Sequence, residues 1–199
     1  MTARAFAAVV LALLFACTIA PGPGPGASPA GAGGLPEGFG TLRQEDVSLT
    51  LSSGDLRLMV TPLHVSVAHV TAPDTERRLA ALVAAHATPG TEDGAGLFLV
   101  SFFSDRPDTR FDPDEVQLVS RGFRHRPVSI SPLTPTWGER RLGQREQTMA
   151  VYSYSGTIDL EADLVLAYGQ VQSAQWSVIL PRIQAERARA RARAGLPGD

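Results

Sequence analysis

Residues 97–103, Leu-Phe-Leu-Val-Ser-Phe-Phe, carry apolar side chains at even and odd positions alike. A strand points successive side chains to opposite faces, so this run must be covered on both sides and predicts a central, doubly buried strand. The segments around it read as strands with one wet face. In residues 47–52 polar and apolar residues alternate, Ser53-Gly54 supplies a tight turn, and Leu56, Leu58 and Val60 resume the alternation. Further β-patterned stretches lie at 63–70, 116–120, 127–130, 149–154, 158–168 and 174–180. Within 158–164 acids alternate with apolar residues, which suits an antiparallel sheet with one solvated face. About nine short, turn-punctuated strands predict a mainly β chain built as an antiparallel β-sandwich.

One helix is predicted between strands, near 72–87, too few for a parallel α/β architecture. Thr71 is positioned to cap it, Pro73 suits its first turn, and Leu79, Leu82, Val83 and His86 form one stripe at helical spacing. Pro181 is expected to close the last strand, and 182–194 reads as a helix of alanine and arginine stopped by Gly195 and Pro197. In that tail Arg187, Arg189, Arg191 and Arg193 recur at every second position, and at about 100° per residue this spacing spreads charge around a helix. The strand spacing resembles that of immunoglobulin-like domains without their Cys-Trp-Cys landmarks; the resemblance implies an architecture and carries no function.

The N-terminus has another character. Arg4 precedes an apolar run at residues 6–16, the length of a secretory signal core and well short of the roughly 20 residues that span a bilayer. The run ends in Leu14-Phe15-Ala16-Cys17, which resembles the lipobox of bacterial lipoproteins, with a larger residue than usual at Phe15. The resemblance covers the first seventeen residues. It implies cleavage before Cys17 and acylation of its thiol and new amine, and two or three acyl chains anchor a protein durably where one does not. Cys17 is then the lipid attachment site, and the membrane is a partner through it. The alternative is an ordinary signal peptide cut after Thr18 or Ala20, giving a secreted or periplasmic soluble form. Thr18 lacks the aspartate that resembles an inner-membrane retention signal, which favours the outer membrane where two membranes exist. Residues 17–40, rich in Pro, Gly, Ala and Ser, are expected to form a disordered tether; about 20 such residues average roughly 25 Å end to end. The expected organisation is thus a signal peptide (1–16), a tether (17–40), a sandwich domain (41–181) and a helical tail (182–199).

Removing leader and tether leaves roughly 155–160 residues, enough for one domain with its own core. Cys17 is the only cysteine, so the folded part has neither disulfide nor thiolate chemistry, and packing must stabilise it. All eighteen basic residues are arginine, and the formal charge of −2 becomes −3 once Arg4 leaves. That balance gives no reason to expect a nucleic-acid partner.

Among candidate sites, Asp105, Asp108, Asp112, Asp114 and Glu115 cluster the oxygen ligands a hard cation such as calcium prefers. Arg106 and Arg110 are interleaved with them, however, and a solvated loop with local ion pairs explains the polarity equally. Two of these carboxylates could also serve as a glycosidase acid/base pair at a separation of about 5–9.5 Å. His64, His69, His86 and His125 match no ligand motif, and on one strand His64 and His69 would face opposite ways. The sequence has no Gly-x-Ser-x-Gly nucleophile elbow. The aromatics Phe102, Phe103, Trp137, Tyr152, Tyr154 and Trp176 are expected to pack rather than line a groove. No cofactor is expected. The arginines at 187, 189, 191 and 193 are candidates for contact with an anionic surface or an envelope protein. These observations point to a non-catalytic, lipid-anchored envelope protein that binds or supports a partner; an envelope hydrolase and an ion- or small-ligand-binding lipoprotein are the alternatives.

Overall fold

A computed structural model describes residues 38–156 and 158–195. The leader, Cys17, most of the tether and Pro197 lie outside the described residues. The chain is mainly β, with eleven strands in antiparallel sheets among the described residues. In order they are β1 (Leu49–Ser53), β2 (Leu56–Pro62), β3 (Leu97–Ser104), β4 (Thr109–Arg110), β5 (Val116–Ser120), β6 (Phe123–His125), β7 (Pro127–Pro132), β8 (Arg141–Leu142), β9 (Glu146–Tyr154), β10 (Leu164–Tyr168) and β11 (Val171–Ser173). The α-helices α1 (Val65–Ala68), α2 (Pro73–His86) and α3 (Trp176–Arg193) accompany them among the described residues. A five-stranded sheet of order β1-β2-β3-β9-β7 faces a four-stranded sheet of order β11-β10-β5-β6, and β4 pairs with β8 separately. The two larger sheets form a sandwich, not a closed barrel.

β3 lies at the middle of the larger sheet and is buried on both faces, as its composition requires. Phe98, Val100 and Phe102 point into the sandwich, where they meet Leu58 and Val60 of β2, Tyr152 of β9, Leu118 of β5 and Leu166 of β10. Leu97 and Leu99 point the other way and join Leu79 of α2, Leu63, Ala68 and Val151 in a second apolar cluster. The molecule therefore has three layers, sheet on sheet on helix. Tyr152 and Tyr154 carry hydroxyls across the sandwich core to donate to the carbonyls of Pro113 (3.0 Å) and Val116 (3.4 Å). Burial pushes both phenols up, so they act as neutral donors.

Four local expectations are corrected. Residues 63–70 hold the short helix α1 instead of a strand: the His64 side chain accepts the Ser66 amide at 3.1 Å, and this cap outweighs the β preference of Val65 and Val67. Thr71 does not cap α2. Its hydroxyl turns back to the Ala68 carbonyl at 2.7 Å, and Ala72 takes the cap position ahead of Pro73. Residues 158–163 are not part of β10, because the Asp159 carboxylate accepts the Glu161 amide at 2.9 Å and turns the chain.

The last correction moves the start of the C-terminal helix. Residues 174–180 belong largely to α3, which runs through Pro181 at the loss of one helical hydrogen bond. Trp176, Ile179 and Ile183 are buried while Val178 is 66% exposed, a helical spacing rather than a strand alternation. The Trp176 indole nitrogen donates to the Leu160 carbonyl at 3.1 Å. Just before the helix, the Gln175 side-chain oxygen accepts from the Thr50 amide (3.1 Å) and hydroxyl (2.8 Å), so the end of α3 occupies a hydrogen-bonding position on the open edge of β1. The opposite edge strand, β7, is bracketed by Pro127 and Pro132 and interrupted by a register shift between Pro127 and Ser129. No helix among the described residues is long and apolar enough to cross a membrane.

The segment entering the domain is held by Leu42, which forms a parallel bridge with Thr71, and by the Gly40 amide, which donates to the His69 carbonyl at 3.0 Å. A Cβ on Gly40 would stand 1.8 Å from the Val70 carbonyl oxygen. Gly40→Ala is expected to force this segment off the body and destabilise the domain by about 1–3 kcal/mol. Trp176→Ala, which empties the seat of α3, should cost about 3–5 kcal/mol. Urea unfolding followed by circular dichroism measures both.

Candidate functional site

The acidic residues proposed as metal ligands are held by arginines distant in sequence. Pairing of β4 with β8 brings Arg140 and Arg141 beside the loop: Arg141 meets Asp108 at 2.8 Å, while Arg140 reaches Asp114 at 3.5 Å and Asp112 at 4.0 Å. Arg57 of β2 lies 3.6 Å from Asp105. Asp112 also caps a 3-10 turn by accepting the Asp114 amide at 3.0 Å, and its own amide donates to the Tyr168 hydroxyl at 2.8 Å. Glu115 lines a polar hollow together with Asp112, Glu139, Arg140, Arg141 and Tyr168. The expected ion pairs are thus present, but their arginines are not the interleaved Arg106 and Arg110. Among the described residues no group of three or more His, Cys, Asp and Glu is arranged to hold a metal ion.

The histidines are dispersed. His86 bonds its own helix at the Leu82 carbonyl (2.9 Å), His125 approaches the Ser155 carbonyl (3.3 Å), and the His69 ring stands edge-on to Phe39. His64 and His69 flank the short helix α1 rather than sharing a strand. His64 alone enters a side-chain chain. Its Nδ1 lies 2.7 Å from the Ser66 hydroxyl and its Nε2 lies 3.2 Å from Asp93. The Ser66 amide donating to Nδ1 requires a lone pair there, which leaves the ring proton on Nε2, facing the carboxylate. The Ala95 amide and the His64 ring together hold the Asp93 carboxyl below the usual aspartate range. Sequence reasoning passed over this chain because Asp93 is 29 residues from His64; the His64-x-Ser66 spacing was its only local sign.

Among the described residues, three depressions adjoin α1. The largest, about 650 Å³, runs along one end of the sandwich between His64 and Asp93 on one rim and Asp159 and Glu161 on the other, over Tyr154 and Ile158. Asp159 is held below the usual range by the Glu161 amide and by Arg121, whose Nε donates at 2.9 Å. A second groove, about 480 Å³, lies between α1, α2 and the loop after α2. Leu63, Val65, Ala68 and Val83 are among its apolar walls, Glu76, Glu92 and Asp93 also line it, and Val65 is 45% exposed. The third, about 370 Å³, lies where α1 meets the last turns of α3.

The arginine tail is partly turned inward. Spacing of four residues sorts it into two rows, Arg187 with Arg191 and Arg189 with Arg193. The second row closes on Glu186, which is 1% exposed: Arg193 donates to its carboxylate at 2.9 Å and Arg189 at 3.3 Å. The same carboxylate accepts from the Thr41 amide and hydroxyl, both at 3.0 Å, and Arg193 also donates to the Phe39 carbonyl at 2.7 Å. Arg187 makes two hydrogen bonds to Glu161, each 3.1 Å. Glu186 thus ties the incoming segment to the C-terminal helix. It was not singled out in the sequence because one glutamate among arginines reads as a wet helix position.

The chain matches no protein-family model, no curated protein and no solved structure.

Burial pushes the Glu186 carboxyl up, but the hydrogen bonds from Arg193, Thr41 and Arg189 outweigh it and hold it below the usual glutamate value. A carboxylate with a depressed folded value stabilises fully above its unfolded value of about 4.3, and that contribution disappears as pH falls through the folded value. Glu186→Gln should cost about 1–3 kcal/mol at pH 7. The gap between wild-type and variant urea midpoints should narrow below about pH 4.

Proposed function

We propose that this protein is an exported, lipid-anchored, non-catalytic binding domain of the cell envelope. The reading rests on Cys17 as the acylation site and on the groove between α1 and α2 as the binding surface. One observation carries the binding role: this groove is lined mostly by apolar side chains, of which Val65 is 45% exposed, with Glu76, Glu92 and Asp93 also in its lining. By contrast, the ionisable groups nearby are engaged in holding turns and helix ends, as with Asp93 on the Ala95 amide and His64 on the Ser66 amide. A surface of this kind recognises a partner by apolar contact, while an acyl anchor confines the encounter to a membrane surface and raises the effective concentration.

Mass spectrometry of the native product is expected to find acyl chains on Cys17 and no leader. A bare thiol would remove the anchored reading. Affinity capture from intact envelopes is expected to recover a defined partner with the acylated wild type and to lose it with Ala84→Arg, which projects a charged side chain into the groove. Retention of the partner by that variant would exclude the groove as the contact surface.

A second reading, an envelope hydrolase, has one observation in its favour, the Ser66–His64–Asp93 chain. In it the Ser66 hydroxyl proton would pass to His64 Nδ1, with Asp93 orienting the ring. A fluorophosphonate probe distinguishes the two. Labelling that disappears in Ser66→Ala and in His64→Gln would establish the hydrolase, and an unlabelled Ser66 leaves these residues as the cap of α1.

A further inference from the structure

Ser101 is the polar residue that β3 carries on its otherwise apolar outer face. Alternation along the strand sets it on the side of Leu97 and Leu99, away from the sandwich core. It is 3% exposed, and among the described residues its Oγ has no hydrogen-bond partner. An alanine here would avoid the cost of burying an unpaired hydroxyl, so the serine calls for a use.

The strands on either side supply one. Register places Met59 of β2 and Met149 of β9 directly opposite Ser101, one on each flank, and residues paired in this way share a face with Cβ atoms about 5 Å apart. Of the chain's three methionines, these are the two among the described residues, brought together from distant stretches of sequence. Both are half-buried and within reach of a small solute, and Met149 packs against the apolar cluster that α2 covers. A thioether on three rotatable bonds can swing over the short serine side chain from either flank.

A thioether is a weak acceptor, and neither sulfur satisfies the hydroxyl. Oxidation changes that. A sulfoxide oxygen is polar, accepts a hydrogen bond, and disrupts an apolar setting when no donor meets it. Ser101 is a buried donor without an acceptor, placed between two sulfurs that become acceptors once oxidised.

We propose that Met59 and Met149 form an oxidation site for hydroperoxides, with the Ser101 hydroxyl donating to the sulfoxide oxygen so that the domain stays folded when a sulfur is oxidised. In this step the thioether sulfur attacks the terminal peroxide oxygen. The S–O bond forms as the O–O bond breaks, sulfur gives up two electrons, and the hydroxyl proton passes to the departing oxygen, which leaves as water or an alcohol. Ser101 takes no part in the transfer and is a positioning residue. It has one O–H to give, so it accommodates one sulfoxide at a time. The proposal depends neither on Cys17 nor on the groove between α1 and α2.

The test treats the full chain, its Ser101→Ala variant and a Met59→Leu/Met149→Leu variant with hydrogen peroxide. Peptide mass spectrometry locates the added oxygen, and circular dichroism gives the thermal midpoint of chains carrying one oxygen on the pair. Before oxidation Ser101→Ala is expected to melt no lower than wild type, because it removes an unpaired hydroxyl. After oxidation the order should reverse. Wild type should hold its midpoint within about 1 °C, while Ser101→Ala should fall by about 2–4 °C, the shift that one hydrogen bond is worth in a domain of this size. The leucine variant should keep its midpoint in peroxide. Equal falls in wild type and Ser101→Ala, or a Ser101→Ala midpoint below wild type before oxidation, would overturn the proposal. So would a pair left unoxidised by peroxide that fully oxidises free methionine, or an equal fall in the leucine variant, which would place the damage elsewhere.

Discussion

The double burial of β3 is the constraint on which the remaining architecture depends. A strand apolar on both faces cannot sit at an edge or on a two-layer surface, because either placement would leave leucines or phenylalanines in water. Phe98, Val100 and Phe102 require the second sheet, and Leu97 and Leu99 require a cover on the other side, which α2 supplies through Leu79. With no cysteine beyond Cys17, these two contacts and not disulfides hold the layers together. The aromatic packing around Phe102, stacked on Phe111 at 4.6 Å and tilted against Trp137 at 5.7 Å, ties β3 to the segments that carry the acidic loop and the 3-10 turn after β7.

Polar chemistry in this molecule serves mainly to join distant stretches of chain. Arg140 and Arg141 reach back some thirty residues to the acidic loop, Gln175 reaches β1, and Glu186 reaches Thr41. The exposed pairs contribute little individually. Glu186 differs because it is buried, so removing its partners would leave a desolvated charge. The same economy explains the division of the arginine tail into a row that satisfies Glu186 and a row that lines a pocket.

Much of the fold was legible in the sequence wherever burial imposed a simple period. β1, β2, β3, β5, β7 and β9 follow alternation or continuous hydrophobicity, and α2 follows its stripe of Leu79, Leu82 and Val83. Where local side-chain bonds compete with that period, the reading went astray. The valines at 65 and 67 favour a strand, yet a single imidazole accepting a backbone amide turns the chain there. Asp159 does the same to the alternation that precedes β10. Trp176, Ile179 and Ile183 already carried a helical spacing, but Pro181 obscured it by suggesting a stop. β4, β6, β8 and β11, of two or three residues each, are too short to display any period. Of the candidate site little was legible, because Asp93, Glu161 and Tyr154 join His64 only through tertiary contact.

Both ends of the described domain arrive at the same corner. Gly38 is close enough to α3 that a Cβ placed on it would lie 3.7 Å from that of Ala194, and Glu186 knots Thr41 to the helix about two turns deeper. A mechanical load applied through the N-terminal segment therefore does not peel strands from an open sheet edge. It is divided between α3, which Phe39 and Thr41 engage through Arg193 and Glu186, and the stretch between α1 and α2, which Gly40 and Leu42 engage through His69 and Thr71.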